Sequence, residues 1–475
     1  MMIWPLLLQS FVALITGGSG YLGGHVVETF LKEGCQTIVL IRNESYASNR
    51  RVYDLWSQNY PNNFHVICHD ISDTSGSIAE SLLGSRIIES LSDINCIVNC
   101  ASPFERYFDS ALKIIVEPTI IITRNVLNFA TTVQSSRVDV GLKDISEGKR
   151  RRNLRVVHVS SSAALRGPGQ KSYKTSCLQK TLNLSEDIQL STSEVGAAKM
   201  TISDTSFSPL DWNACSQFNG SGMQPYQFVK TLSEQMMFES GLKNGFDVIS
   251  IVPVTMLGPI CEAQEYARRH TLLAPDGKEN SINSNQSPVR KEGVSAQFIK
   301  DWAAFKLKQE NRLIADVRDV AIAILEAASI DVNNIVSEEA QLDAVQSALT
   351  ADTSTIAEVV LDIKNVTELY SNYDLKSSSV RNRVFRPNRF IVGGSRRVPH
   401  SGIENLLLSN GYVGGSLTAT EAEIRNNAAF RTEVDELDIS ATVRSMSDGG
   451  LGIICRKWED TILDTAEQYY PTSRE

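Results

Sequence analysis

Val12-Ala13-Leu14-Ile15-Thr16-Gly17-Gly18-Ser19-Gly20-Tyr21-Leu22-Gly23-Gly24-His25-Val26-Val27-Glu28-Thr29-Phe30-Leu31 is the stretch from which the rest of the chain is read. An apolar run breaks into glycines and resumes with apolar residues at Leu22, Val26, Val27, Phe30 and Leu31, three and four apart. That pattern is a buried parallel strand, a glycine turn and a helix. Gly17 suits the tight backbone turn, Gly20 has no side chain to keep a pyrophosphate away, and Gly23 lets the helix pack closely on the strand. A phosphate would sit at the helix N-terminus, where free amides and the macrodipole favour an anion. The spacing is G-x-x-G-x-x-G, not G-x-G-x-x-G, so the strand before it and the helix after it carry the inference. Gly17, Ser19, Gly20, Tyr21, Leu22 and Gly23 are the candidate cofactor contacts of this turn.

Working outward, Thr37-Ile38-Val39-Leu40-Ile41 reads as a second strand ending on Arg42. An acidic residue there would bind the ribose hydroxyls of NAD, whereas Arg42 offers a planar cation to the 2′-phosphate of NADP, with Arg50 and Arg51 close behind. Phe64-His65-Val66-Ile67-Cys68 is a third strand, followed by Asp70 and Ile71, where Asp70 is placed to accept from an adenine amino group. Ile94 to Cys100 is a fourth strand, and the small residues of Cys100-Ala101-Ser102 leave room for a cofactor. A helix is expected from Ile120 to Ala130, and a strand from Leu154 to Val159 delivers Ser160-Ser161-Ser162. A helix follows from Pro225 to about Leu242. Then comes the strand Val248-Ile249-Ser250-Ile251-Val252-Pro253, with Pro253, Val254 and Thr255 at the cofactor end. Strand and helix alternate, which predicts right-handed crossovers and an α/β doubly wound parallel sheet. Later signals are a helix from Asp316, a late strand Arg389-Phe390-Ile391-Val392 and a terminal helix from Trp458.

Size and composition narrow the classes. The chain has 475 residues, 42% hydrophobic and 21% charged, with a formal net charge of -9. That length predicts two domains or one with large insertions, and the acidic balance argues against nucleic acid as a partner. The one cationic cluster, Lys149-Arg150-Arg151-Arg152, reads as a solvated loop. The 8 cysteines include no C-x-x-C pair and read as reduced core thiols, with no metal site. Residues 1–15 lack a basic leader region, and no other run reaches a membrane span, so a cytoplasmic protein without membrane contact is expected. Four polar stretches, 136–153, 166–210, 262–300 and 331–385, read as insertions or lids. Lys278-Glu279-Asn280-Ser281-Ile282-Asn283-Ser284-Asn285 is the most disorder-like of them.

Tyr226 and Lys230 stand four apart on a helix and converge above one face. In a carbonyl reductase the lysine ammonium lowers the tyrosine pKa and holds the nicotinamide ribose, so that the phenol donates a proton. A serine at the neighbouring strand end hydrogen-bonds the substrate oxygen as charge builds on it. Which of Ser160 to Ser162 points inward depends on register.

The turn from Thr16 to Gly23, Cys100-Ala101-Ser102-Pro103, Ser160-Ser161-Ser162-Ala163, Tyr226-x-x-x-Lys230-Thr231-Leu232-Ser233-Glu234, Val252-Pro253 through Leu257-Gly258-Pro259, and Asp316-Val317-Arg318-Asp319-Val320-Ala321 resemble, in that order, the extended short-chain dehydrogenase/reductases. Within them the likeness is to the dihydroflavonol reductase, cinnamoyl-CoA reductase and yeast-type aldehyde reductase branch. It covers most of residues 10–330 and, more faintly, 386–470. The resemblance implies a Rossmann sheet with a smaller C-terminal α+β part, NADP(H), a Ser–Tyr–Lys catalytic set and a small-molecule carbonyl substrate. The family's serine is the one before the small residue, Ser162, so Ser162, Tyr226 and Lys230 are the catalytic candidates.

The expected domains are 10–259 for the cofactor and 260–475 for substrate, with segments of the second returning to the first. The sequence departs from the branch in its long serine-to-tyrosine interval and in lacking the Asn-Trp-Tyr-x-Tyr-Gly-Lys signature of cinnamoyl-CoA reductases. Asp211-Trp212-Asn213 stands where the branch has an acidic-Trp element, read here as packing or a pocket wall. The first reading is an NADPH-dependent reductase of an aldehyde or ketone. Its alternatives are an NAD-dependent sugar-nucleotide epimerase/dehydratase, a 3-beta-hydroxysteroid dehydrogenase and a non-catalytic NADP-binding scaffold or redox sensor. Monomer and homodimer both stay open.

Overall fold

The computed structural model describes residues 11–73, 77–104, 110–144, 153–170, 172, 206–209, 211–272, 311–330, 388–412, 437, 439–445 and 450–469. The basic cluster at 149–152, residues 173–205, the part of the third polar stretch from 273 to 300 and all of 331–385 lie outside them. In chain order the elements are β1 (Val12–Thr16), α1 (Tyr21–Lys32), β2 (Gln36–Ile41), α2 (Asn43–Asn59), β3 (Phe64–Cys68), α3 (Ile78–Ser85), β4 (Ile94–Asn99), α4 (Glu117–Asp144), β5 (Arg155–Val159) and α5 (Gln224–Asn244). There follow β6 (Asp247–Pro253), β7 (Thr255–Leu257), α6 (Glu262–Leu272), β8 (Ile314–Asp316), α7 (Val317–Ser329), β9 (Arg389–Val392), α8 (His400–Ser409), α9 (Ser440–Val443) and α10 (Trp458–Tyr469).

Seven strands form one sheet in the order β3-β2-β1-β4-β5-β6-β9, all pairs parallel. The order steps outward from β1 in both directions, so the switch point falls between β1 and β4, where open α/β sheets bind ligands. This is the doubly wound Rossmann sheet expected from the strand-helix alternation. Arg389 to Val392, more than 130 residues beyond β6, closes its far edge. β7 and β8 make a separate parallel pair.

Side-chain alternation sorts the core by face. Ala13, Ile15, Val39, Val98, Val157 and Ile249 point to the side covered by α1 and α7. Leu14, Ile38, Ile97, Val156 and Val248 point to the side covered by α4 and α5. Every residue of β1 is buried, which is why the strand reads as an unbroken apolar run. At the last level before the C-terminal edge the second face changes character. Thr16 pairs with Asn99, Asn99 with His158, His158 with Ser250 and Ser250 with Arg389, a continuous buried polar row across five strands.

Several expectations are corrected. The helix expected over 120–130 runs from Glu117 to Asp144, so the front of the 136–153 stretch is helical. Residues 262–272, assigned to an insertion, form α6. Its first amides, Glu262 and Ala263, donate to the Glu28 carboxylate of α1 at 3.2 and 2.7 Å. Its polar exterior hid a helix whose end is capped from a distant element. Cys68 is exposed at the end of edge strand β3, and Cys215 is also exposed, so these two are not core thiols. Among the described residues no helix is long and apolar enough to cross a membrane.

The α1–α7 contact carries a pH dependence. Burial, then repulsion from Glu33, raises Glu326 on α7 to about 7. The folded state therefore holds this proton more tightly than the unfolded chain. The associated stability is complete below the ordinary glutamate range and is lost as pH rises through about 7. Glu326→Gln should raise the thermal midpoint over wild type at pH 8 and leave it unchanged at pH 4, as read by scanning calorimetry.

Candidate active site

The glycine turn is held by contacts of the main chain with itself. Gly17 has φ of +73°, and its carbonyl accepts the Gly20 amide at 2.9 Å. A Cβ on Gly23 would lie 2.0 Å from the Gly17 oxygen, so this glycine admits the turn itself, not the strand as expected. A Cβ on Gly17 would meet the Ala101 amide nitrogen at 2.8 Å, which shows how closely the exit of β4 crosses the turn. The Ala101 amide donates to Thr16 Oγ1 at 3.3 Å and tightens the same junction. The Tyr21 hydroxyl donates to the Gly258 carbonyl at 2.7 Å, joining the turn to the end of β7. Leu22 is buried in the core, leaving only its main chain for a ligand. Gln264 of α6, missed in the sequence reading, donates to the Gly20 carbonyl at 3.2 Å.

The surroundings fit a dinucleotide. Gly20 caps α1 with no side-chain cap, and a Cβ there would meet only the Gly17 oxygen. Beside the turn, the Ser102 hydroxyl is buried with no partner among the described residues, a polar atom that a ligand would satisfy. Arg42 is exposed at the N-cap of α2. Arg50 lies along that helix 3.7 Å from Asp54, so it is drawn toward a carboxylate on its own helix. Asp70 takes the Ser72 amide and hydroxyl at 2.9 and 2.6 Å, and the Ile71 carbonyl accepts from Asn125 at 2.8 Å, giving this corner a fixed backbone. At the other side Val254 is buried, with its amide donating to the Val392 carbonyl of β9 at 3.2 Å. Pro253 ends β6 and Thr255 starts β7.

On α5, Tyr226 is half-buried and Lys230 is 4% exposed. The Lys230 ammonium donates to the Val159 carbonyl at 3.1 Å and lies 6.0 Å from the Tyr226 ring centroid. Burial pushes this amine down to about 8, opposed by Glu234 and Cys100. Tyr226 departs from the expectation. Burial raises its pKa, the Ser161 hydroxyl beside it acts in the opposite direction, and Lys230 is turned toward the strand carbonyl. Phe104, 43% exposed, stands edge-on to the Tyr226 ring at 5.1 Å.

The three serines separate. Ser160 is buried, its hydroxyl donating to Glu234 at 2.8 Å. Ser161 caps the short 3-10 turn Ser162–Ala164 and is the hydroxyl against Tyr226. Ser162 begins that turn with its carbonyl accepting the Leu165 amide. The Ser161 hydroxyl is thus the one seen acting on the phenol.

Beneath them the polar row is hydrogen-bonded. Thr16 donates to Asn99 at 2.8 Å, and the Asn99 amide lies 3.3 Å from His158 Nδ1. Ser233 stands 3.5 Å from His158 Nε2 and donates to the Lys230 carbonyl at 3.1 Å. This arrangement assigns Nε2 as the protonated nitrogen. Burial, then Lys230, pushes His158 down to about 3, so no second cation competes with the lysine.

Residues 15–259 match the NAD-binding family model described as male sterility protein. The chain belongs to this family, within the extended short-chain dehydrogenase/reductases. Yeast methylglyoxal/isovaleraldehyde reductase Gre2, solved with NADPH, is 17% identical with a TM-score of 0.55, over 97% of this chain and 98% of that one. Gre2 of Candida albicans, also solved with NADPH, is 16% identical with a TM-score of 0.54, over 98% and 100%. At these identities the likeness speaks for the shared fold. No curated protein matches the sequence.

Gly23→Ala tests the turn. The added methyl would lie 2.0 Å from the Gly17 oxygen and force the turn to shift, so a variant that keeps its wild-type circular dichroism should bind dinucleotide at least about tenfold more weakly by fluorescence titration.

Proposed function

We propose that the chain is an NADPH-dependent reductase that converts an aldehyde or ketone of a partly apolar molecule to the alcohol. The observation that carries this reading is the grouping of Tyr226 and Lys230 one helical turn apart on α5, the ammonium 6.0 Å from the phenol ring, with the Ser161 hydroxyl beside the phenol. When bound, the nicotinamide supplies the hydride. Tyr226 gives its proton to the carbonyl oxygen as negative charge develops there, and Ser161 donates a hydrogen bond to the same oxygen. Lys230, an ammonium below about pH 8 that rests on the Val159 carbonyl, would hold the ribose of a bound cofactor and stabilise the phenolate left behind. Phe104, edge-on to the phenol, forms an apolar wall that suits an aliphatic or aromatic substrate body. The fold shared with the NADPH-bound Gre2 enzymes, one of them a methylglyoxal/isovaleraldehyde reductase, supports a carbonyl substrate.

Preference for NADPH rests on Arg42, exposed at the end of β2 with no acidic residue in its place. Gly17, Ser19, Gly20, Tyr21, Leu22 and Gly23 would hold the pyrophosphate. Asp70 and Ile71 would hold the adenine, and Cys100, Ala101, Ser102, Pro253, Val254 and Thr255 the nicotinamide half. Titration of NADPH and NADH against the purified chain tests this directly, and Arg42→Asp should reduce the preference for NADPH by about tenfold or more. Equal affinity for the two in wild type would remove the cofactor argument.

The catalytic assignments are separable by kinetics. Tyr226→Phe should bind NADPH within about twofold of wild type while turnover falls about 10²–10⁴-fold. Ser161→Ala should lower kcat about 10²-fold with Ser162→Ala near wild type; the reverse pattern would return the role to Ser162. NADPH affinity should weaken as pH rises through about 8, when Lys230 loses its charge.

A further inference from the structure

Glu234 lies one turn beyond Lys230 and two beyond Tyr226 on the same face of α5, and its side chain is fully buried. It receives Arg389 Nε and Nη2 at 2.7 and 3.1 Å and the Ser160 hydroxyl at 2.8 Å. Arg389 comes from β9, is 2% exposed, and uses its remaining nitrogen on the carbonyls of Pro209 and Asp211, both at 2.7 Å. Its guanidinium also lies 3.8 Å over the Trp212 ring. The next residue, Asn213, donates from its amide to the Ala164 carbonyl at 2.8 Å and from its side chain to the Ala163 carbonyl at 2.9 Å. One guanidinium therefore grips the helix bearing Tyr226 and Lys230, the root of the serine turn through Glu234 and Ser160, and the segment that latches the end of that turn.

We propose that Arg389 is a positioning residue of the active site, setting Ser161 against Tyr226 from both ends of the serine turn and keeping the Glu234 carboxylate close to Lys230. This rests on the reductase reading above. A buried ion pair is weak evidence for stability, since apolar substitutes of similar volume are often as good. Four hydrogen bonds and a stacked ring meeting behind catalytic groups fit placement better. The charges facing Lys230 are few. Among the described residues Glu234 lies on its own helix, the Cys100 thiol just past β4, neutral His158 on β5, and the Tyr226 phenol one turn before Lys230. Of these, Glu234 favours the lysine charge most.

The test compares wild type, the neutral double variant Glu234→Gln/Arg389→Met and the single variant Arg389→Lys. Thermal melting is followed for each, together with the titration of Lys230 by lysine-selective NMR without cofactor and kcat/KM with NADPH and an aldehyde. The double variant should remain folded, with the Lys230 midpoint lowered by about one unit and kcat/KM reduced tenfold or more. Arg389→Lys keeps a cation against Glu234 but cannot hold all the carbonyls, so its Lys230 midpoint should stay near wild type while kcat/KM falls. A folded double variant with both quantities unmoved, or wild-type turnover in Arg389→Lys, would overturn the assignment. If wild type reduces no carbonyl, the reductase reading fails, and the NMR midpoint still decides whether Glu234 and Arg389 set the charge of Lys230.

Discussion

Five neighbouring strands bring a polar residue to one level on one face of the sheet, and each of those residues is buried. A buried polar group without a partner costs about 1–3 kcal/mol, so such a row persists only when it is hydrogen-bonded or needed. Here most of it is satisfied by the sheet's own ends and by α5. Thr16 and Asn99 bond across β1 and β4, His158 reaches Ser233, and Arg389 takes Glu234. The helix bearing Tyr226 and Lys230 is thereby tied to the C-terminal edge by polar contacts as well as by its apolar packing.

The same row explains the charge state of the site. His158 would be a second cation at the lysine were it not buried and held neutral by its neighbours. Burial also works against the Lys230 charge, while Glu234 favours it. Neighbouring groups are pushed apart in protonation by desolvation, and the charge of the lysine is favoured by Glu234 one turn along the same helix. On the other side of the switch point the glycine turn offers close backbone approach and a helix end, and beside it the Ser102 hydroxyl has no partner among the described residues.

Much of this was legible in local pattern. β1, the glycine turn and α1 follow from one apolar run and its periodicity. Tyr226 and Lys230 follow from a spacing of four, and Glu234, a further four along, carried the same signal unread. Arg389 left only the hint of a charge opening an apolar strand. The choice among Ser160, Ser161 and Ser162 was not legible, because a single-residue shift at a strand end moves each hydroxyl to a different partner. α6 escaped notice because its mean composition is polar, and the contacts that fix it, Glu28 to its amides and Gln264 to Gly20, join residues more than 230 positions apart.

The sequence by itself determined the parallel α/β sheet, the position of the dinucleotide turn and the helix that carries tyrosine and lysine, since each depends on residue types within a few turns of one another. Only the tertiary structure decided which serine meets the phenol, which way Lys230 points without cofactor, and that a strand starting at Arg389 supplies the guanidinium behind the site. Those outcomes depend on strand register and on burial, which are properties of distant segments packed together and leave no periodic trace along the chain.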